Sequence, residues 1–256
     1  MDSPSHFFLP DLVAYCTYPL RTNPNGEEQA RASEEWLIDG SDLSPRKRKA
    51  LTKLKSGDLT AACFPDADPS RLRVCCDYIN FLFTLDDWLE ELDVQGNNSI
   101  ENWCVAAMRD PVNFQTDKKA ALLMKSYVTF AYRHFMAMYQ TMTSNRFFSR
   151  FSQTAGLACQ ERFIRNKQHF FTAVVRQVEV KMKGQVPDLE SYIEMRRNTS
   201  CCKPCFQLIE YAGGFTLPDK VAEDPFIQSL EDAANDFISW SNVSTIIRRV
   251  MSLITR

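Results

Sequence analysis

The sequence lacks any apolar run near the roughly 20 residues that a transmembrane helix needs. It also lacks an excess of charge of one sign, because 30 basic residues face 32 acidic ones and the net charge is −2. Such a balance leaves no electrostatic footprint for nucleic acid or an anionic membrane. No basic segment followed by an apolar one opens the chain, as a secretory signal would require. We therefore expect a soluble protein with neither kind of partner.

Histidines and paired cysteine motifs are also scarce. The three histidines are remote in sequence from Cys202–Cys205, and no second C-x-x-C pair exists to complete a zinc site. Nine cysteines is an odd number, and several fall within helical patterns, where they are typical of small buried hydrophobes. These features favour a reducing, cytoplasmic setting without structural disulfides.

Sustained period-2 alternation is absent, so the sequence predicts an all-α fold. With 256 residues and 45% hydrophobic content, one large domain can bury a sizeable core. Asp68-Pro69 starts a helix that we expect to end near Asp93, before Gly96–Asn98, with Ser99 capping the next one. Further helices are predicted over 27–38, 44–55, 116–143, 157–183, 206–211 and 224–240, with another starting at 188 and breaking at 198–204.

Four carboxylates directly follow the apolar run 78–85 on one predicted helix. At 100° per residue, Asp86 and Glu90 continue the stripe of core-facing residues, and Asp87 flanks it. Carboxylates that face an apolar interior are costly and repel one another unless they are protonated, paired or bound to a cation. A divalent metal would resolve that conflict. The alternative is the solvated end of an amphipathic helix.

Two further polar groups accompany these acids. Arg196 and Arg197 stand just before the predicted helix break, where guanidinium groups can bind an anion, although surface arginines are common. The segment 235–242 carries amides, hydroxyls and an acid that could complete oxygen coordination of Mg²⁺, or could equally be a capped helix end.

Taken together and in their order along the chain, several segments of this sequence resemble class I terpene synthases, specifically the fungal sesquiterpene synthases of the basidiomycete type. The resemblance spans residues 7–242 and is carried by 8–12, by Asp86–Glu90, by Arg196–Ser200 leading into Cys202–Cys205, and by Ile238–Asn242. It implies the class I terpenoid synthase (isoprenoid synthase) helical bundle. It also implies Mg²⁺-dependent ionisation and cyclisation of farnesyl diphosphate, with release of diphosphate.

The resemblance assigns roles to particular residues. It makes Asp86 the principal metal ligand, supported by Asp87 and Glu90. It makes Arg196, or Arg197 as the alternative, the arginine that contacts the diphosphate. The remaining assigned residues are Thr199 and Ser200, at the break that communicates leaving-group binding, and Asn242, which opens the second metal motif.

The second metal motif, N(D/S)xxSxxxE, is incomplete. Read from Asn242, its serine and glutamate positions hold Ile246 and Val250. Read from Asn235, it recovers Asp236 and Ser239 but ends at Val243. We therefore expect residues 1–242 to form a truncated synthase domain, incomplete at the C-terminus, and 243–256 to be an aberrant tail from a retained intron.

Losing one metal site predicts little or no cyclase activity. Chain elongation by a prenyltransferase is a second possibility within isoprenoid chemistry, but it would need a second aspartate-rich motif, which is not visible. A different class of function is a non-catalytic helical remnant that at most binds diphosphate or a partner.

Overall fold

In the computed structural model, the described residues are 14, 16–41, 43–110, 114–125 and 147–254. No strand occurs among them, and the predicted all-α fold is confirmed. The helices within these ranges are α1 Gly26–Gly40, α2 Pro45–Lys53, α3 Ser56–Cys63, α4 Pro69–Glu90, α5 Val94–Arg109, α6 Lys119–Lys125, α7 Phe147–Thr154, α8 Leu157–Met182, α9 Leu189–Thr199, α10 Cys202–Gly213, α11 Asp219–Ala222 and α12 Pro225–Ile254. No described helix is long and apolar enough to cross a bilayer.

Helix α4 is the centre of the core. The Asp68 side chain caps it by accepting from the backbone N–H groups of Ser70 and Arg71 at 2.9 and 3.0 Å, and Pro69 occupies the first turn. Helices α1, α3, α7 and α10 all pack against α4. Most of its residues before Asp86 are buried on every side, as expected of a helix surrounded by others.

The boundary between α4 and α5 differs from the prediction. Helix α4 ends at Glu90, and α5 begins at Val94 rather than at Ser99. The reason is that the Asp93 side chain accepts from the Gly96 N–H at 2.8 Å and acts as the N-cap. The buried Asn97 amide then donates to the Leu89 carbonyl at the end of α4 and to the Leu92 carbonyl just after it, which outweighs the turn preference of the Gly-Asn-Asn sequence.

The predicted break after the two arginines is confirmed. Helix α9 ends at Thr199 and α10 starts at Cys202, with Cys201 between them in the left-handed region at φ 57°. A non-glycine residue pays a conformational cost of about 1–2 kcal/mol there. The Cys202 N–H donates to the Ser200 hydroxyl at 3.2 Å and holds the turn.

Helix α12 continues beyond its predicted end near residue 240, to Ile254. The segment 243–254, predicted to be part of an aberrant tail, is therefore helical in its backbone. The motif at residues 8–12 and most of the helix predicted over 116–143 lie outside the described residues. Helix α6 covers the start of that predicted helix.

Candidate functional site

Three helices bring together three residues that are far apart in the sequence. Asp86 lies on α4, Arg196 on α9 and Asn242 on α12. The Nη2 atom of Arg196 donates to the Asn242 Oδ1 atom at 3.5 Å. The Asp86 carboxyl group interacts electrostatically with Arg196. The fold therefore places a predicted metal ligand, a predicted anion-binding arginine and the predicted second-motif asparagine in one neighbourhood.

The acidic residues of α4 do not point into the core. Asp86, Asp87 and Glu90 are exposed, whereas Leu85 and Leu89 are buried. The prediction that Asp86 and Glu90 continue the core-facing stripe is wrong. Helix α4 reaches the edge of the core near Leu85, and beyond that point the face that carries Leu85 and Leu89 is the one that remains buried. Asp87 and Glu90 therefore fit the alternative interpretation, in which they belong to the solvated end of an amphipathic helix.

Asp86 differs electrostatically from its acidic neighbours. Partial desolvation raises the pKa of its carboxyl group, and repulsion by Glu90 and Asp87 adds to that rise. Arg196 and the buried Lys167 oppose the rise. Asp86 thus sits at the edge of the protein interior, between two negative and two positive groups, where a bound cation would relieve the repulsion.

The two adjacent arginines have different partners. Arg197 donates to both carboxylate oxygens of Asp236, from Nε at 2.8 Å and from Nη2 at 2.6 Å. These hydrogen bonds lower the pKa of the Asp236 carboxyl group. Arg197 also contacts Asp232 at 3.4 Å. Arg196 forms no ion pair with a described carboxylate, and its buried Nε has no hydrogen-bond partner there. Arg196 therefore has donors available for an anion, and Arg197 joins α9 to α12.

Asn235 joins α12 to the end of α9. It is fully buried, and its Nδ2 atom donates to the Arg197 carbonyl at 2.6 Å. Its Oδ1 atom accepts from the hydroxyl groups of Ser200 at 2.7 Å and Ser239 at 3.2 Å. Thr199 is partly buried beside them at the last position of α9. Structural contacts therefore occupy Asn235, the alternative start of the second metal motif, whereas Asn242 is exposed and its Oδ1 atom accepts from Arg196 at 3.5 Å.

Replacing Asn235 with alanine is expected to lower the free energy of unfolding by about 2–3 kcal/mol, since it leaves buried polar partners unsatisfied. Urea denaturation of the purified protein measures this. The matched control is Asn198→Ala, which removes only an exposed 3.3 Å bond to the Glu194 carbonyl and should cost no more than about 0.5 kcal/mol. An equal loss of unfolding free energy in the two variants would contradict the role of Asn235 in joining α12 to the end of α9.

The donor set fits a metal ion that arrives with its anion. Among the described residues, no three histidine, cysteine or acidic side chains are arranged to hold a metal on their own. Mg²⁺ is commonly bound by one or two carboxylates, with substrate phosphates and water completing its shell. Asp86 and Asn242 offer oxygen ligands, and the guanidinium group of Arg196, whose Nη2 atom reaches Asn242, offers donors to the anion.

Lys167 on α8 was not singled out from the sequence. Its side chain is wholly buried, and its charge interacts with the Asp86 carboxyl group. The available signal was its position, because it falls at helical spacing between Phe163 and Phe170 or Phe171 on an apolar stripe. A charged residue on such a stripe marks a buried polar group that requires an explanation.

Comparison with known proteins identifies relatives over most of the chain. Residues 77–242, which contain every predicted site residue, match the family model described as "Terpene synthase family 2, C-terminal metal binding". Sesquiterpene synthase 1 of Postia placenta is 38% identical over 240 residues, which is 94% of this chain and 65% of that protein. Alpha-muurolene synthase of Coprinopsis cinerea is 38% identical over 242 residues, which is 94% of this chain and 54% of that protein.

Solved structures share the fold at low sequence identity. Hedycaryol synthase in complex with HEPES superposes with a TM-score of 0.74 at 19% identity, over 95% of this chain and 73% of that one. Germacradien-4-ol synthase from Streptomyces citricolor gives a TM-score of 0.66 at 20% identity, over 89% of this chain and 71% of that one.

Proposed function

Because the chain belongs to terpene synthase family 2, we propose that its reaction is the Mg²⁺-dependent ionisation and cyclisation of farnesyl diphosphate with release of diphosphate, and that this reaction is impaired here because the second metal motif is incomplete. The observation that carries this proposal is the convergence of Asp86, Arg196 and Asn242 from three helices. Two of the sequence relatives are named Sesquiterpene synthase 1 and Alpha-muurolene synthase, which supports a C15 substrate. The chain spans 65% of the length of Sesquiterpene synthase 1.

In this proposal, each polar residue has a separate task. Asp86 holds Mg²⁺, with Asp87 and Glu90 in support, and Asn242 adds an oxygen ligand. Arg196 donates to the diphosphate oxygens and stabilises the negative charge that develops as the C–O bond breaks. When bound, Mg²⁺ neutralises charge on the same leaving group. Arg197 holds α9 to α12, so that Arg196 keeps its orientation.

The helix break connects the diphosphate end to the apolar interior. Ser200 is bound to Asn235, and Cys201 follows in the left-handed conformation. The Tyr78 hydroxyl group of α4 lies 3.4 Å from the Cys201 sulfur, just after Thr199 and Ser200, and the Tyr78 ring contacts the ring of Phe163 on α8 at a centroid distance of 5.2 Å. Both rings are fully buried, so the break adjoins the packed apolar core.

We further propose that residues 1–242 form the synthase domain and that the tail 243–256 does not supply the second metal site. The family match ends at Asn242, and the serine and glutamate positions that follow hold Ile246 and Val250. Sequencing of the transcript tests a retained intron, and a normally spliced message encoding the same tail would contradict it. The nine free cysteines support a reducing, cytoplasmic setting.

Incubating the purified chain with farnesyl diphosphate and MgCl₂ tests the reaction. We expect Mg²⁺-dependent diphosphate release that is slow, with little terpene hydrocarbon in an organic overlay, because half of the metal-binding set is incomplete. Efficient cyclisation would contradict the functional importance of the second motif. Diphosphate binding without any release would instead support a helical protein that binds the anion without chemistry.

A further inference from the structure

Lys167 carries a buried positive charge in an aromatic cage. Its side chain has no solvent exposure, and its Nζ atom lies 4.2 Å from the ring centroid of Phe170, 5.3 Å from that of Phe171 and 5.5 Å from that of Tyr78. Its described hydrogen-bond contact is the Cys201 sulfur, at 3.5 Å. The cage therefore holds the end of the side chain in one place, directly beside the break between α9 and α10.

This ammonium group has no carboxylate counterion among the described residues. No ion pair links Lys167 to a carboxylate in the described ranges, where its hydrogen-bond contact is the Cys201 sulfur. Burial of an unpaired charge is costly, and contacts with aromatic faces offset only part of that cost. For the fold alone, an apolar side chain of similar volume would serve better than lysine.

The Lys167 ammonium group contacts the break that follows the helix carrying Arg196, through the Cys201 sulfur at 3.5 Å. The Asp86 carboxyl group interacts electrostatically with both Lys167 and Arg196. Cys201 receives contacts from Lys167 and from the Tyr78 hydroxyl group at 3.4 Å, so that α4, α8 and the helix break meet at one sulfur atom. Low effective dielectric lets a buried charge act over several ångströms on an anion bound beyond it.

Resting on the proposed function, we propose that Lys167 is a positioning residue that favours metal–diphosphate binding at Asp86, Arg196 and Asn242 by its positive field, without touching the ligand. It adds a second fixed cation behind Arg196. It also acts through Cys201, which it holds at the turn that sets the end of α9.

The test compares ligand-free stability with anion affinity in Lys167→Met, which keeps the length of the side chain and removes its charge. The probe is inorganic diphosphate in MgCl₂, followed by calorimetric titration, together with the melting temperature without ligand. We expect the melting temperature to stay equal or rise, and the dissociation constant to increase about tenfold. A residue with a purely structural role would show the opposite pattern, with lower stability and unchanged affinity.

The matched control is Arg165→Met on the same helix. Arg165 is exposed and pairs with Glu223 at 3.3 Å, so its loss should leave the diphosphate affinity unchanged. If Lys167→Met fails to fold, Lys167→Arg and Lys167→Gln replace it, and we expect only the arginine variant to keep the affinity. Equal affinities for charged and uncharged variants would overturn the role of Lys167. Failure of the unsubstituted chain to bind the probe would overturn the proposed function itself, and this inference with it.

Discussion

Replacing Arg162 with alanine will lower the free energy of unfolding by about 3–5 kcal/mol, because it leaves a buried carboxylate without its partner. Arg162 and Glu210 are 5% and 3% exposed, and Nη2 donates to both Glu210 oxygens at 3.0 and 2.9 Å. Arg162 also bonds the Leu217 carbonyl at 3.1 Å and the carboxylate of Asp219. These bonds tie α8 to α10 and to the segment that leads into α12.

Chemical denaturation of the two arginine variants on α8 checks this result. Arg165→Ala removes only an exposed ion pair and should cost less than about 1 kcal/mol. A similar small cost for Arg162→Ala would show that the buried pair does not hold these helices together.

Replacing Arg196 with alanine is expected to weaken the binding of Mg²⁺–diphosphate by about 30- to 100-fold, since a charged donor to the anion is lost. The fold should tolerate the change, because Arg196 forms no ion pair with a described carboxylate and its Nε atom lacks a partner there. Calorimetric titration with inorganic diphosphate in MgCl₂ measures the loss.

Arg197→Ala is the paired control for this experiment. It breaks the hydrogen bonds to both carboxylate oxygens of Asp236 and should therefore lower the stability of the fold. It should weaken diphosphate binding less than Arg196→Ala does, because Arg197 orients Arg196 without donating to the anion. If Arg197→Ala abolished binding and Arg196→Ala did not, the roles assigned to the two arginines would be reversed.

The helical fold follows from local signals that tertiary packing reinforces. Asp68-Pro69 and Asp188 start helices as predicted, and the break after Thr199 forms where the polar cluster meets Pro204. The start of α5 was missed because the contacts of Asn97 with the end of the preceding helix are tertiary. Helix periodicity also misplaced Asp86, since a pattern along one helix does not reveal where the covering neighbours end.

The sequence predicted which residue types form the candidate site, but it did not predict which individual residue has which role. The resemblance ranks Arg196 before Arg197, but the physical difference between the two arginines comes from the position of Asp236 on α12, which binds Arg197. The resemblance assigns the start of the second motif to Asn242, and the alternative start, Asn235, makes buried contacts with Ser200 and Ser239. Helix packing decides which arginine and which asparagine form structural contacts, and a single sequence does not specify that packing.

The measurement that tests the central claim most directly is titration of the unsubstituted chain with inorganic diphosphate, once with MgCl₂ and once with a chelator. We predict saturable binding that requires Mg²⁺ and is lost in Asp86→Asn. The control Glu91→Gln, which changes an acid of the same run paired with Lys47 at 2.6 Å, should bind normally. Binding that persists in the chelator, or that survives Asp86→Asn unchanged, would contradict a metal–diphosphate site built on Asp86, Arg196 and Asn242.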